Sequence, residues 1–393
     1  MPIAVFVLGL SIFALGTSEF MITGLLPGMA ADLGVSIPDA GLLISAFAIG
    51  MVLGAPLLAV GTLRLPRRTT LLALLVVFGL THVVGAMAGS YGLLFATRIV
   101  SALACAGFWA VAAATTASIV PAARRGRALS VLVGGLTVAN ILGVPAGTLL
   151  GQHAGWRSAF WAVAALSAMA AVAVLAFVPR TATGPARVRT ELRVFANGRL
   201  WLALGVIALL QAMVFATFSY LATLLVAVDG LPESGVPVVL ALFGGGALAG
   251  IVAGGKLADV HPFATLYGSL ALAIAALSTL AATGNTVVAV IAVLVLGAAG
   301  FAANPALNVR AYTIAGGTST LVGAGTTSAF NVGNTVGPWL GGTAIAAGLG
   351  FASVAWVSVA LGVLAVAALT VSLFLHRREH APAPASEPQD VPA

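Results

Sequence analysis

The chain has 393 residues, of which 61% are apolar and only 7% charged, 17 Lys and Arg against 10 Asp and Glu. A soluble particle needs roughly a quarter of its residues charged, so water is excluded as the solvent for most of this surface and lipid is the alternative. A net charge of +7 could point to nucleic acid, but that reading needs positives gathered on one soluble face. Here they sit in short segments between apolar runs, so no nucleic-acid partner is expected.

A helix that crosses the hydrocarbon needs about 20 apolar residues. Such runs fall at residues 4–27, 39–63, 69–89, 92–118, 128–150 and 157–178, and after a basic stretch again at 200–226, 235–257, 263–282, 286–309, 321–346 and 350–375. The alternating strands of a membrane barrel are missing from these runs. The expected fold is therefore an all-α membrane protein of twelve transmembrane helices, arranged as two pseudo-symmetric six-helix bundles. Residues 1–178 are expected to form the first bundle, 179–199 a cytoplasmic linker and 200–375 the second bundle. The segment 376–393, ending in APAPASEPQDVPA, has too little apolar surface to fold and is expected to be disordered. The first run lacks a basic leader and carries Glu19, so it reads as a retained helix rather than a signal peptide.

Loops on the cytoplasmic side carry the excess of Lys and Arg. Fifteen of the 17 basic residues follow even-numbered spans, among them Arg64, Arg67, Arg68, Arg124, Arg125, Arg127, Lys256 and Arg310. The opposite side holds Arg157 with Asp32, Asp39, Asp229 and Glu233. Both termini are thus expected in the cytoplasm, with the protein in the inner (plasma) membrane.

The two halves also share motifs at one offset. Asn140, Gly143, Pro145 and Gly147 in span 5 run parallel to Asn334, Gly337, Pro338 and Gly341 in span 11, with the Asn and both Gly pairs 194 residues apart, as are Gly61 and Gly255. An internal duplication follows, with parallel repeats about an axis normal to the membrane.

These residues resemble the major facilitator superfamily, over about residues 3 to 375, and within it the twelve-helix drug:proton antiporters. Gly255-Lys256-Leu257-Ala258-Asp259 reproduces the family's loop signature between spans 8 and 9, while the copy between spans 2 and 3, Gly61 to Arg68, has lost its Asp. Span 5 carries the Gly- and Pro-rich antiporter motif as Gly143 to Gly151, and span 4 carries the family's Arg as Arg98. The opening Gly16-Thr17-Ser18-Glu19-Phe20, with Gly24 to Pro27 and Ala46 to Pro56, is similar to the actinobacterial chloramphenicol exporters and their sugar- and nucleoside-efflux relatives. The resemblance implies secondary efflux by alternating access.

Glu19 and Arg98 are the two clearly intramembrane charges. Intramembrane charge is expensive and usually marks an ion or substrate path. Counted from the ends of their spans, Glu19 lies roughly 12 Å deep and Arg98 roughly 9 Å, at 1.5 Å per residue, so they can share one level. Glu19 can titrate and Arg98 cannot, making the pair candidates for proton coupling; a static ion pair locking spans 1 and 4 is the alternative. His82 at a similar depth reads first as a packing residue and second as a relay. Gln211, Phe215, Phe218 and Tyr220 on span 7, with Asn331 on span 11, are the substrate-binding candidates, since aromatic faces with a few polar groups suit a small amphipathic drug. Asn140 and Asn334 reach similar depths, and asparagines also bridge helices. Gly143, Pro145, Gly147, Gly337, Pro338, Gly341, Gly255 and Asp259 are the candidate conformational elements, either bending points or dense packing.

No enzyme constellation or metal-ligand spacing occurs on a span, the single Cys105 allows no disulfide, and no phosphate loop stands ready for ATP. The expected function is export of chloramphenicol or a similar small amphipathic drug by proton antiport, without a cofactor and as a monomer in the bilayer. Sugar or nucleoside export is the second reading, and a channel, receptor or scaffold the third.

Overall fold

The computed structural model describes residues 1–62, 65–121, 124–180, 196–315 and 320–379, and among these no strand occurs. In hydrocarbon every backbone N–H and C=O must be satisfied within the segment, which leaves the helix as the solution for non-alternating apolar runs. Among the described residues eleven helical stretches are long and apolar enough to cross a bilayer, and the more polar 27-residue helix Thr320–Ala346 stands in the place of the remaining span. Span 1 is Ile3–Phe20 followed by Ile22–Leu33, span 2 Ile37–Gly61, span 3 Arg67–Ala86, span 4 Tyr91–Ile119, span 5 Arg125–Ala154 and span 6 Trp156–Phe177. Span 7 is Gly198–Phe218 with Leu221–Ala227, span 8 Val236–Val260, span 9 Pro262–Ala282, span 10 Thr286–Ala302 with Asn304–Ile314, and span 12 Ser353–Glu379.

Sequence expectations shift at the helix ends, where Arg67, Arg68, Arg125, Arg127 and Arg199, expected in loops, lie in the first turns of spans 3, 5 and 7. The Gly255 to Asp259 signature, expected in a loop, lies in the last turns of span 8. Arg310, also expected in a loop, lies within the second helix of span 10. Span 12 runs to Glu379, past the expected start of the tail at 376. The helix-favouring residues Lys256 to Ala258, Arg310 and Ala311, and Arg377 to Glu379 carry each helix past its apolar run. The bulk of the expected linker (181–195) and of the tail (380–393) lies outside the described residues.

Two apolar cores form, one drawn mainly from spans 1–6 and one mainly from spans 7–12. Glycine seams knit each. Span 5 sets Gly143, Gly147 and Gly151 against Thr17, Met21 and Leu25 of span 1, and span 11 sets Gly333, Gly337 and Gly341 against Gln211, Ala212 and Ala216 of span 7. Span 2 likewise packs Gly50 and Gly54 on Ala102 and Ala106 of span 4, and span 8 packs Gly246, Gly250 and Gly254 on Leu294, Ala298 and Ala302 of span 10. Small residues about one turn apart let backbones approach closely, the main source of helix association in lipid. The matched seams give the sequence repeat a physical content, and they place the motif glycines in dense packing inside each half.

One motif departs from that symmetry. Span 5 widens into a π turn over Ala139–Gly143, where the Val144 amide donates to the Ala139 carbonyl, just before Pro145, which has no N–H to continue the ladder. Pro338 sits inside a helix that continues through it.

The end of the bundle carrying Arg67, Arg68, Arg125, Arg127 and Arg199 is here the basic end; the end carrying Asp32, Asp39, Asp229 and Glu233 is the acidic end. Toward the acidic end the halves meet. Ser45 Oγ donates to the Thr335 carbonyl at 2.9 Å and Gln152 Nε2 to the Glu233 carbonyl at 2.7 Å. Tyr220, fully buried, donates to the Pro338 carbonyl at 3.0 Å and lies over Gly41 of span 2 and Gly342 of span 11. At the same end Arg157 pairs with Asp32, donates to the Ala88 carbonyl at 3.0 Å and stacks 4.4 Å over Trp156, tying spans 1, 3 and 6 together. Toward the basic end Leu53 and Leu57 of span 2 and Leu248 and Val252 of span 8 are exposed.

Asp229, in the loop after span 7, is buried with neither carboxylate oxygen hydrogen-bonded among the described residues. Burial pushes its carboxyl up to about 6. A carboxyl that holds its proton more tightly in the fold than in the unfolded chain weakens the fold once ionised, so the penalty is full above about pH 6 and fades as pH falls toward 4. Asp229→Asn is therefore expected to raise the melting temperature of detergent-solubilised protein at pH 8 and to raise it much less at pH 4.5; an equal gain at both would rule out ionisation as the cause.

Candidate functional site

The site begins with a break. Span 1 stops at Phe20 and resumes at Ile22, five residues before Pro27 removes a further backbone donor. The last carbonyls of a helix lack intrahelical donors and carry the negative end of its dipole. Arg98 of span 4 meets that end: its Nη2 donates to the Ser18 carbonyl at 3.1 Å and its Nη1 to Ser18 Oγ at 2.9 Å. Its guanidinium lies 4.4 Å from the centre of the Phe47 ring, a cation–π contact in the dry interior.

Glu19 and Arg98 are thus neighbours in one buried level, and the static ion pair between them is not formed. Among the described residues Arg98 directs Nη1 and Nη2 at Ser18 and leaves Nε without a partner, and the Glu19 carboxylate makes no hydrogen bond. His82 belongs to the same constellation, with Nε2 2.6 Å from Ser18 Oγ and Nδ1 2.7 Å from the Phe78 carbonyl. Its ring lies between Phe78 and Phe160, at centroid distances of 4.3 and 5.6 Å.

Next to Glu19, Phe20 reaches across to the other half. Its ring lies 5.5 Å from Phe215 and 6.4 Å from Phe218, and Phe218 stacks on Phe243 of span 8 at 4.4 Å. Gln211, Phe215 and Phe218 recur at about one and two turns, so they line one face of span 7. Across the seam stand Asn331 and Asn334 of span 11. The side-chain oxygens of Gln211, Asn331 and Asn334 are buried with no hydrogen-bond partner among the described residues. Bare buried acceptors are rare and call for an explanation; a ligand carrying N–H or O–H groups supplies one. Asn140 and Asn331 each donate one turn back, to the Leu136 carbonyl at 3.2 Å and the Thr327 carbonyl at 3.0 Å, and of these two only the Asn331 oxygen is buried and bare.

Not every candidate joins this group. Tyr220 lies at the acidic-end contact between the halves, with its hydroxyl occupied. Gly255 and Asp259 lie near the basic end, where Asp259 is exposed. Sequence reasoning missed the roles of Ser18, Phe20, Phe47 and Phe243. Adjacency to Glu19 was a signal for the first two; nothing in the sequence distinguishes Phe47 or Phe243 from lipid-facing aromatics.

A twelve-span helical protein in two matched halves, with a buried carboxylate, an aromatic cluster and bare amide oxygens where the halves meet, has the build of a membrane transporter. The chain belongs to the major facilitator superfamily, whose family profile, the Major Facilitator Superfamily, matches residues 8–330. It is 42% identical over 378 residues to a chloramphenicol resistance protein of Streptomyces lividans, covering 95% of this chain and 96% of the relative. It is 36% identical over 349 residues to the inner membrane transport protein YdhP of Escherichia coli strain K12, covering 88% and 90%. Among solved structures, a bacterial homologue of the human lysosomal transporter Spinster, inward-facing and occupied, superposes with a TM-score of 0.73 at 19% identity, covering 94% of this chain and 96% of that one. The nucleoside transporter NupG superposes with a TM-score of 0.73 at 15% identity, covering 94% and 99%. These two speak for the fold. The protein is a multi-pass membrane transporter of the superfamily.

Proposed function

We propose that this transporter exports chloramphenicol or a similar small amphipathic drug from the cytoplasm in exchange for protons. The observation that carries the reading is the Glu19 carboxylate: buried, free of hydrogen bonds among the described residues, and adjacent in sequence to the Phe20 ring on which the aromatic cluster of the second half converges. A carboxylate can gain and lose a proton at one place while an amphipathic molecule rests on the aromatic and amide wall beside it, so binding of one can oppose binding of the other. Likeness to a chloramphenicol resistance protein supports a drug as the cargo.

The arginine asymmetry supports a cytoplasmic basic end. Closure around Tyr220 at the acidic end then corresponds to an inward-facing state, in which drug enters from the cytoplasm and Glu19 gives up its proton. The opposite state, with the acidic-end contacts parted, releases drug outward and reloads Glu19. In a Cys105→Ser background, cysteine at Ser234 should react with an impermeant maleimide from outside the cell, and cysteine at Thr190 only after permeabilisation; the reverse pattern would invert the cycle.

Expression in a drug-sensitive host should raise the minimum inhibitory concentration of chloramphenicol, and a protonophore should restore accumulation of labelled drug. Resistance that survives collapse of the proton gradient and follows ATP instead would exclude antiport. A second reading, export of a sugar or nucleoside, is favoured by the three bare amide oxygens, which suit hydroxyl-rich ligands, and by 26% identity to a probable sugar efflux transporter of Mannheimia succiniciproducens. Resistance to toxic sugar or nucleoside analogues, with none to chloramphenicol, would select it.

A further inference from the structure

Ser18, His82 and Arg98 come from spans 1, 3 and 4 and are each at most 1% exposed; Ser18 Oγ, both His82 nitrogens and both Arg98 Nη atoms have one another or nearby carbonyls as partners, while Arg98 Nε has none among the described residues. The Phe78 carbonyl can only accept, so His82 Nδ1, 2.7 Å away, carries a hydrogen and donates it. In that neutral tautomer Nε2 is an acceptor, and the Ser18 hydroxyl 2.6 Å away is its donor. With its hydrogen directed at His82, Ser18 Oγ turns its lone pairs to Arg98 Nη1 at 2.9 Å. Donation therefore runs in one direction, from Arg98 to Ser18 to His82 to Phe78.

We propose that His82 is a positioning residue for proton exchange at Glu19: by accepting the Ser18 hydrogen it fixes the Ser18 oxygen toward Arg98 and so keeps the guanidinium off the neighbouring carboxylate. The proposal rests on the reading of Glu19 as the proton-exchanging group. Without an acceptor at Nε2 the Ser18 hydroxyl is free to turn and its lone pairs are no longer fixed on Nη1, so the guanidinium, held then by the Ser18 carbonyl alone, can swing to the neighbouring carboxylate. A direct guanidinium–carboxylate contact favours the charged carboxylate, so Glu19 would load a proton only from a more acidic medium. The charged groups around His82 are Arg98 on span 4 and Glu19 next to Ser18 on span 1; span 6 contributes the Phe160 ring, and span 3 itself the Phe78 ring and carbonyl.

The test is proton-coupled chloramphenicol transport by the full-length protein in proteoliposomes, read against pH for wild type, His82→Gln, His82→Leu, Ser18→Ala and Glu19→Gln. Glutamine places an acceptor near the position of Nε2 and is expected to keep the wild-type profile. His82→Leu and Ser18→Ala are each expected to move its midpoint toward acid by about one pH unit, the smaller end of a direct ion-pair effect, and a variant combining His82→Leu with Ser18→Ala no further, because both break one chain of bonds. An unmoved profile with a lower maximal rate in His82→Leu and Ser18→Ala, or a His82→Gln profile displaced as far as that of His82→Leu, overturns the proposal. Ser18→Ala removes a single oxygen and carries the test if His82→Leu is not recovered folded. Wild-type pH dependence in Glu19→Gln would overturn instead the reading on which the proposal rests, an outcome distinct from an unmoved His82→Leu profile.

Discussion

Glu19→Gln should abolish uphill transport while leaving downhill drug movement and membrane insertion intact. Chloramphenicol is neutral, so exchange for one proton moves net charge inward, and the membrane potential contributes about 2.3 kcal/mol per 100 mV. At 1.4 kcal/mol per tenfold that sustains roughly a fiftyfold drug gradient. The amide keeps the shape of the carboxyl and cannot titrate, so labelled drug in energised inverted vesicles should fall from that ratio to equilibrium with the medium. The network around it has no reason to collapse, because Arg98 is held by Ser18 and not by Glu19. If Glu19→Gln still accumulates drug with undiminished dependence on the proton gradient, Glu19 is a drug contact or a structural residue and coupling lies elsewhere.

The largest stability effect is expected at the glycine seams. A Cβ at Gly250 would meet the Ala298 carbonyl oxygen, backbone of the facing span 10 that cannot rotate away, whereas a Cβ at Gly245 in the same helix would meet nothing within 4 Å. Gly250→Ala should therefore cost about 3 kcal/mol, the upper range for overpacking, and lower the yield of monodisperse protein. Gly245→Ala should be neutral or stabilising by up to about 1 kcal/mol, the usual gain from removing a mid-helix glycine. Thermal scans of the two variants in detergent decide the matter: equal melting temperatures would mean that spans 8 and 10 do not approach as closely as the seam requires.

Composition and run length alone determined that this is a twelve-span helical membrane protein, because hydrocarbon admits few backbone solutions and each apolar run is long enough for one helix. The duplication was legible for a related reason: Gly143 and Gly337, or Gly147 and Gly341, recur at one offset since close backbone approach tolerates no side chain, and that constraint leaves a mark in a single sequence. Glu19, Arg98 and His82 stood out by the cost of charge and polarity in lipid. What they touch was not legible. The hydrogen-bond chain through Ser18 exists because span 1 breaks at Met21 and spans 3 and 4 bring His82 and Arg98 to that break; neither the break nor the depth register of three helices has a local sequence signature. Likewise Tyr220 reads on the sequence as one more aromatic of span 7, and only the meeting of Gly41 and Gly342 around it makes it a contact between halves. Solvent preference is a property of each segment by itself and can be read from its residues, whereas partner choice depends on how far each helix slides and turns against its neighbours, a quantity set by packing across the whole bundle.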